Sequence, residues 1–138
     1  MKKMLPVMVV ALVFLSCKKE DALKEFKESL VGTWELEKRI TFEVPFTTLS
    51  SPPGNGNILV FTTGGVFEKK KHDTLVFQGT YTLQRREDCH PRTSNVVLQT
   101  SDNTPANEHY VTIENGKLLI DTPNCWADGG AAYYRKIQ

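Results

Sequence analysis

Three cysteines, three histidines, and a set of lysines and aromatics are the side chains with chemistry to offer in this 138-residue chain. Cys89 and His90 are adjacent, and Cys125 stands far downstream without a second ligand at zinc-finger spacing. That is a poor match to a zinc site, which wants spaced pairs of ligands. His72 and His109 fall at a turn and at a strand start, apart from one another. No Gly-x-Ser-x-Gly, phosphate loop or paired acidic motif occurs, so no catalytic residue, metal or cofactor is expected. Binding is the chemistry left, with an enzyme built by tertiary proximity a minor alternative. The binding candidates are Lys38, which falls on the apolar face of its segment, and the aromatics Phe42, Phe61, Phe77, Tyr81 and Tyr133. An inward lysine is costly unless it reaches water or an anion. The aromatics either line a pocket or fill a solid core.

The elements that must position these residues are strands. From Thr33 to Glu43, Trp34, Leu36, Ile40 and Phe42 alternate with polar residues, the period of a half-buried strand. Ser, Pro, Gly and Asn then dominate a loop from Thr47 to Asn57. Further strands are expected over Ile58–Thr62, Val66–Lys71, Thr74–Gln84, Asn95–Thr100, His109–Glu114, Lys117–Asp121 and Ala131–Ile137. Asn115-Gly116 between two of them is a strong hairpin signal, because both turn residues need positive φ. Eight strands on short connections predict an all-β, antiparallel meander closed into a barrel, which removes its exposed edges. Such a barrel has room for side chains or one small ligand. Ahead of it, Leu23, Phe26 and Leu30 recur at helical spacing, predicting a helix of about ten residues laid against one end, with Asp21 as cap.

The N-terminus has a different character. Lys2 and Lys3 precede an uncharged run of 12 residues, Met4 to Leu15. As a helix this covers about 18 Å, short of a hydrocarbon core of about 30 Å. A basic start, a short apolar core and a small residue before the cut suit an export signal. Phe14-Leu15-Ser16-Cys17 resembles the bacterial lipobox, in which the cysteine is lipidated and becomes the mature N-terminus. The resemblance implies a signal peptide over 1–16 and a lipidated Cys17 heading a charged tether and short helix over 17–29. Export to an outer membrane, on its periplasmic or cell-surface face, follows. Lys18-Lys19-Glu20-Asp21 is similar to the start of many Bacteroidetes lipoproteins, where such residues go with surface display. Cleavage would remove Lys2 and Lys3, leaving 15 basic against 16 acidic residues. With no basic patch, nucleic acid is excluded as a partner.

Leu30-Val31-Gly32-Thr33-Trp34, then Gly79-Thr80-Tyr81, and Ala127-Asp128-Gly129-Gly130 ahead of Tyr133-Tyr134-Arg135 carry a further likeness. In this order they resemble the lipocalins and the lipocalin-like domains of Bacteroidetes lipoproteins. The likeness spans residues 30–137, within a barrel domain of 30–138. It implies that Trp34 packs at the closed end beneath Arg135, where a guanidinium stacked on indole is worth ~1–2 kcal/mol. Once Cys17 is lipidated, Cys89 and Cys125 remain, and two thiols in an oxidising compartment are expected to pair. Closing that loop contributes roughly 4 kcal/mol in the chain-entropy model. The strand count, however, places the two at opposite rims, whereas bridged α-carbons lie within about 7 Å. The expected protein is a monomeric, membrane-anchored barrel that binds a small apolar ligand. The alternative is a solid barrel whose surface contacts protein or glycan.

Overall fold

The computed structural model describes residues 20–42, 45–86, 95–101, 107–122 and 129–138. Helix α1 (residues 20–30) leads into nine strands. They are β1 (Gly32–Thr41), β2 (Thr47–Ser50), β3 (Asn57–Phe61), β4 (Val66–Lys71), β5 (Thr74–Arg85), β6 (Val96–Thr100), β7 (Glu108–Glu114), β8 (Lys117–Asp121) and β9 (Gly130–Lys136). From β3 onward each strand pairs antiparallel with the next, and β9 returns to β1. The result is an eight-stranded antiparallel barrel with one extra strand, β2, lying along β1.

Turn chemistry follows the residues. Asn115 and Gly116 both take positive φ, 51° and 72°, the geometry that a two-residue hairpin with the sheet's own twist requires. Gly32 sits where α1 turns into β1 with φ +139°, and a Cβ there would meet the Gln138 carbonyl at 2.5 Å. No other residue fits that approach, so the glycine of Gly-x-Trp is a steric necessity.

The segment 47–57, expected to be loop throughout, is shorter as a loop than that. Its first residues, Thr47–Ser50, form β2 against Lys38–Thr41. All four β2 residues are exposed, which is why they carry no alternation to read. The remaining loop is pinned by Asn55, whose amide donates to the carbonyls of Leu36 and Pro52, both at 2.7 Å.

The core sits toward the α1 end. Trp34, Phe61, Leu98, Val111 and Leu118 are at most 1% exposed, and Phe61 lies stacked on Phe67 and edge-on to Tyr81. Leu23 and Phe26 of α1 pack onto this cluster and Leu30 is buried in it, so the helix closes that end as its spacing predicted. The indole N–H of Trp34 donates to the Leu30 carbonyl at 2.8 Å, tying strand to helix. Asp21 lies within the helix. Val96, Val97 and Leu98 are all buried, the signature of a strand covered on both faces.

Candidate functional site

A β-bulge decides which side chains look inward. Pairing between β1 and β9 runs Trp34–Lys136 and Leu36–Tyr134, then skips Glu37 and resumes at Lys38–Tyr133 and Arg39–Ala132. An extra residue in one strand reverses the in-and-out alternation beyond it. Trp34 and Leu36 face the core, and after the skip it is Arg39, opposite Ala132, that faces in. Lys38 turns out with Tyr133, its ammonium 4.2 Å from that ring's centre on the outer wall. The expected inward lysine is therefore an outward one, and Arg39 takes its place.

The same register read across the sheet gives the interior two layers. Near α1 the inward positions are Trp34, Phe61, Phe67 and Tyr81, all buried. Toward the other end, Asn57 and Lys71 are partners, as are Leu59 and Lys69. Because Leu59 and Phe67 face the core, so do Lys69, Lys71 and Asn57. Inward-facing polar residues in a small barrel are the informative exception. Here they cluster at the end opposite the helix.

These residues border a cavity of about 450 Å³, within the usual range of roughly 300–1,000 Å³ for small-molecule sites. Arg39, Lys69, Lys70 and Lys71 supply four cations, while Leu59, Val76 and Tyr134 supply apolar wall. No carboxylate is among the described residues that line it. Lys70 pairs with Glu68 at 2.9 Å, on the outer wall. Lys71 donates to the Asn57 side chain at 2.9 Å, which fixes its ammonium at the rim. The ammonium of Lys69 lies 5.4 Å from the centre of the Phe67 ring and 5.7 Å from that of Phe77, so the core aromatics floor the charge. Burial pushes the Tyr134 hydroxyl above the ordinary tyrosine value, and a hydrogen bond with Arg39 pulls it partly back. The phenol therefore stays neutral at physiological pH.

A second, outer hollow of about 490 Å³ lies beside Glu35, Gly56, His72 and Asp73. Its carboxylate is already committed. Burial raises the Glu35 pKa, but Arg135 at 3.0 Å and the backbone of Gly56 and Gly54 outweigh it and hold the group below its ordinary value. Glu35 latches the 51–56 loop to the barrel.

Phe61 and Tyr81 belong to the packed floor, and the Tyr81 hydroxyl donates to the Thr62 carbonyl at 2.8 Å. Phe77 is inward beneath Lys69, whereas Phe42 lies past the end of β1 against Phe46, with 6.4 Å between ring centres. Tyr133 is on the outside. Trp34 is buried at the closed end, but the cation over it is Lys136, at 5.2 Å. Arg135, one residue earlier, points the other way to Glu35. Cys17, Cys89 and Cys125 lie outside the described residues. The strand ends flanking Cys89 lie at the α1 end and those flanking Cys125 at the opposite end. The cationic rim had a signal in the sequence: alternation from Phe67 puts Lys69 and Lys71 on its face.

No family model matches this chain, and no curated protein matches it either.

Proposed function

We propose that the protein is a lipid-anchored, lipocalin-like barrel that binds a small amphiphile at its open end, without catalysis. The observation that carries this reading is the two-layered interior, with a filled aromatic floor and a cation-lined cavity above it. The apolar part of a ligand would lie against Leu59, Val76 and Tyr134, and an anionic head would meet Arg39, Lys69 and Lys71. Anchoring rests on the lipobox-like stretch before Cys17. Acyl chains there, at about 0.8 kcal/mol per buried methylene, would hold the protein to a bilayer; among the described residues no helix is long and apolar enough to cross one.

Calorimetric titration with medium-chain fatty acids and their alcohols tests the reading. Acids should bind the wild type, and Arg39→Met should weaken them by about 1.5–3 kcal/mol, the range for a hydrogen bond to a charged group. Alcohols should be indifferent to that change. Lys38→Met, on the outer wall, should alter neither. Binding of neither class at sub-millimolar concentration would reject the ligand cup.

One observation favours a second reading. Phe46, just ahead of β2, and Leu49 within it are 71% and 59% exposed. Exposed apolar side chains of this size suit a surface that contacts another macromolecule. If the titrations fail, that contact surface becomes the better account.

A further inference from the structure

We infer that the open end is turned away from the bilayer that anchors the protein, so that the cup takes its ligand from the surrounding water rather than from that membrane. The inference rests on the lipid at Cys17 and on the reading of the open end as a cup. What sets the orientation is the length of chain that separates Cys17 from the folded body. The fifteen residues from Cys17 to Gly32 could span about 50 Å if all of them were extended, and the barrel could then take any attitude. Helix α1 removes most of that length. Leu30 is buried and Leu23 and Phe26 pack on the core. The Trp34 indole donates to the Leu30 carbonyl at 2.8 Å, Lys136 donates to the Ser29 carbonyl at 3.1 Å, and the Lys27 ammonium lies 5.9 Å from the centre of the Tyr81 ring. Peeling α1 away to lengthen the tether would expose that cluster and break those bonds. The effective tether is therefore the three residues from Cys17 to Glu20, which reach at most about 11 Å whatever path they take.

Glu20 lies at the closed end, bordering the same hollow as Tyr81, Thr82 and Leu83 of β5. From Thr82 back to Thr74, at the turn on the open rim, eight residues of strand cover about 26 Å. Strands in a closed barrel tilt by about 40°, which leaves about 20 Å along the axis. A mouth-down barrel would need a tether running from the bilayer past the rim to Glu20, about twice the length present. Phe46 and Leu49, 71% and 59% exposed, are what such a barrel would press into lipid, and the tether keeps them from it. The face that meets the head groups is the outer side of α1, where Glu20, Asp21, Lys24, Glu25, Lys27 and Glu28 are exposed. Two lysines against four carboxylates give that face no attraction for anionic lipid, so the contact is made by the tether rather than by charge.

Lipidated protein in phosphatidylcholine vesicles tests this, with a photo-crosslinker placed at one site at a time and circular dichroism confirming the fold. Glu28→p-benzoylphenylalanine, on the exposed side of α1, should form lipid adducts on irradiation. Thr48→p-benzoylphenylalanine, on exposed β2 at the rim, should form at least tenfold fewer. Inserting about 20 glycine and serine residues between Lys19 and Glu20 adds a mean span of about 25 Å, and should bring the two yields within about twofold. Thr48 adducts that match those at Glu28 on the native tether would overturn the inference. Octanoate added outside the vesicles should bind the anchored protein and the soluble mature chain carrying Cys17→Ala with affinities within about twofold. A tenfold loss on anchoring would also overturn the inference, because the mouth would then be shielded by the bilayer. Octanoate binding to neither form would remove the cup while the adduct pattern still reports the orientation. Vesicle binding that survives Cys17→Ala would remove the anchor, and the orientation with it.

Discussion

Trp34→Phe should loosen the closed end by a calculable amount. The indole is fully buried, and its N–H spans from β1 to the Leu30 carbonyl of α1 at 2.8 Å. Phenylalanine cannot donate, so that carbonyl loses this partner inside the core, at a cost of about 1–3 kcal/mol. The smaller ring also gives up roughly 1–2 kcal/mol of burial and contact. Lys136, over the indole at 5.2 Å, is at the solvent edge and adds about 0.5 kcal/mol. Together these predict a loss of about 2.5–5.5 kcal/mol, seen as a lower urea midpoint with little change in slope. Circular dichroism in urea is the assay. A loss under 1 kcal/mol would refute the view that Trp34 joins helix to barrel. Two companions sharpen the test. Lys136→Met should cost under about 1 kcal/mol, while Arg135→Met should cost more, because it strands the buried Glu35 carboxylate.

Acid should destabilise the fold through three carboxylates. Glu35, Glu37 and Glu108 each sit below the ordinary value of 4.5, held there by Arg135, Lys117 and Arg86 respectively. A depressed folded pKa gives stability that is present above the unfolded value and lost as pH falls through the folded one. Thermal melts should therefore be flat near neutrality and fall below about pH 4.5, less so for Glu35→Gln, and a flat curve down to pH 2 would contradict the assignment. Cys17→Ala should abolish fatty-acid labelling of the protein in cells, and label equal to wild type would remove the anchor. Thiol counting on denatured, unreduced, exported protein should find none if Cys89 and Cys125 pair, and two if they do not.

The barrel was legible because its signals are local. Period-two runs, the Asn115-Gly116 turn and the Leu23, Phe26, Leu30 spacing each report their own segment, and each agrees with the observed element. What escaped is set by partners distant in sequence. Nothing in Glu35-Leu36-Glu37-Lys38 announces that Glu37 will be skipped, because the skip is a property of its pairing with β9. The error over Lys38 follows from that one residue. The choice between Arg135 and Lys136 over Trp34 is likewise a matter of register, since the two residues face opposite sides of the same strand. β2 escaped for another reason. A strand exposed on both faces has no reason to alternate.

The skipped residue has a consequence for how the chain can vary in length. In a strand of regular pleat, losing one residue turns everything beyond it inside out. At Glu37 the reverse holds: deletion would restore a plain ladder while Arg39 kept its place opposite Ala132. The local losses would be the Lys117 ion pair and the hydrogen bond that Ser51 donates to the Glu37 carbonyl. The bulge is thus a slack link, where β1 can shorten by a residue without exchanging its wet and dry faces.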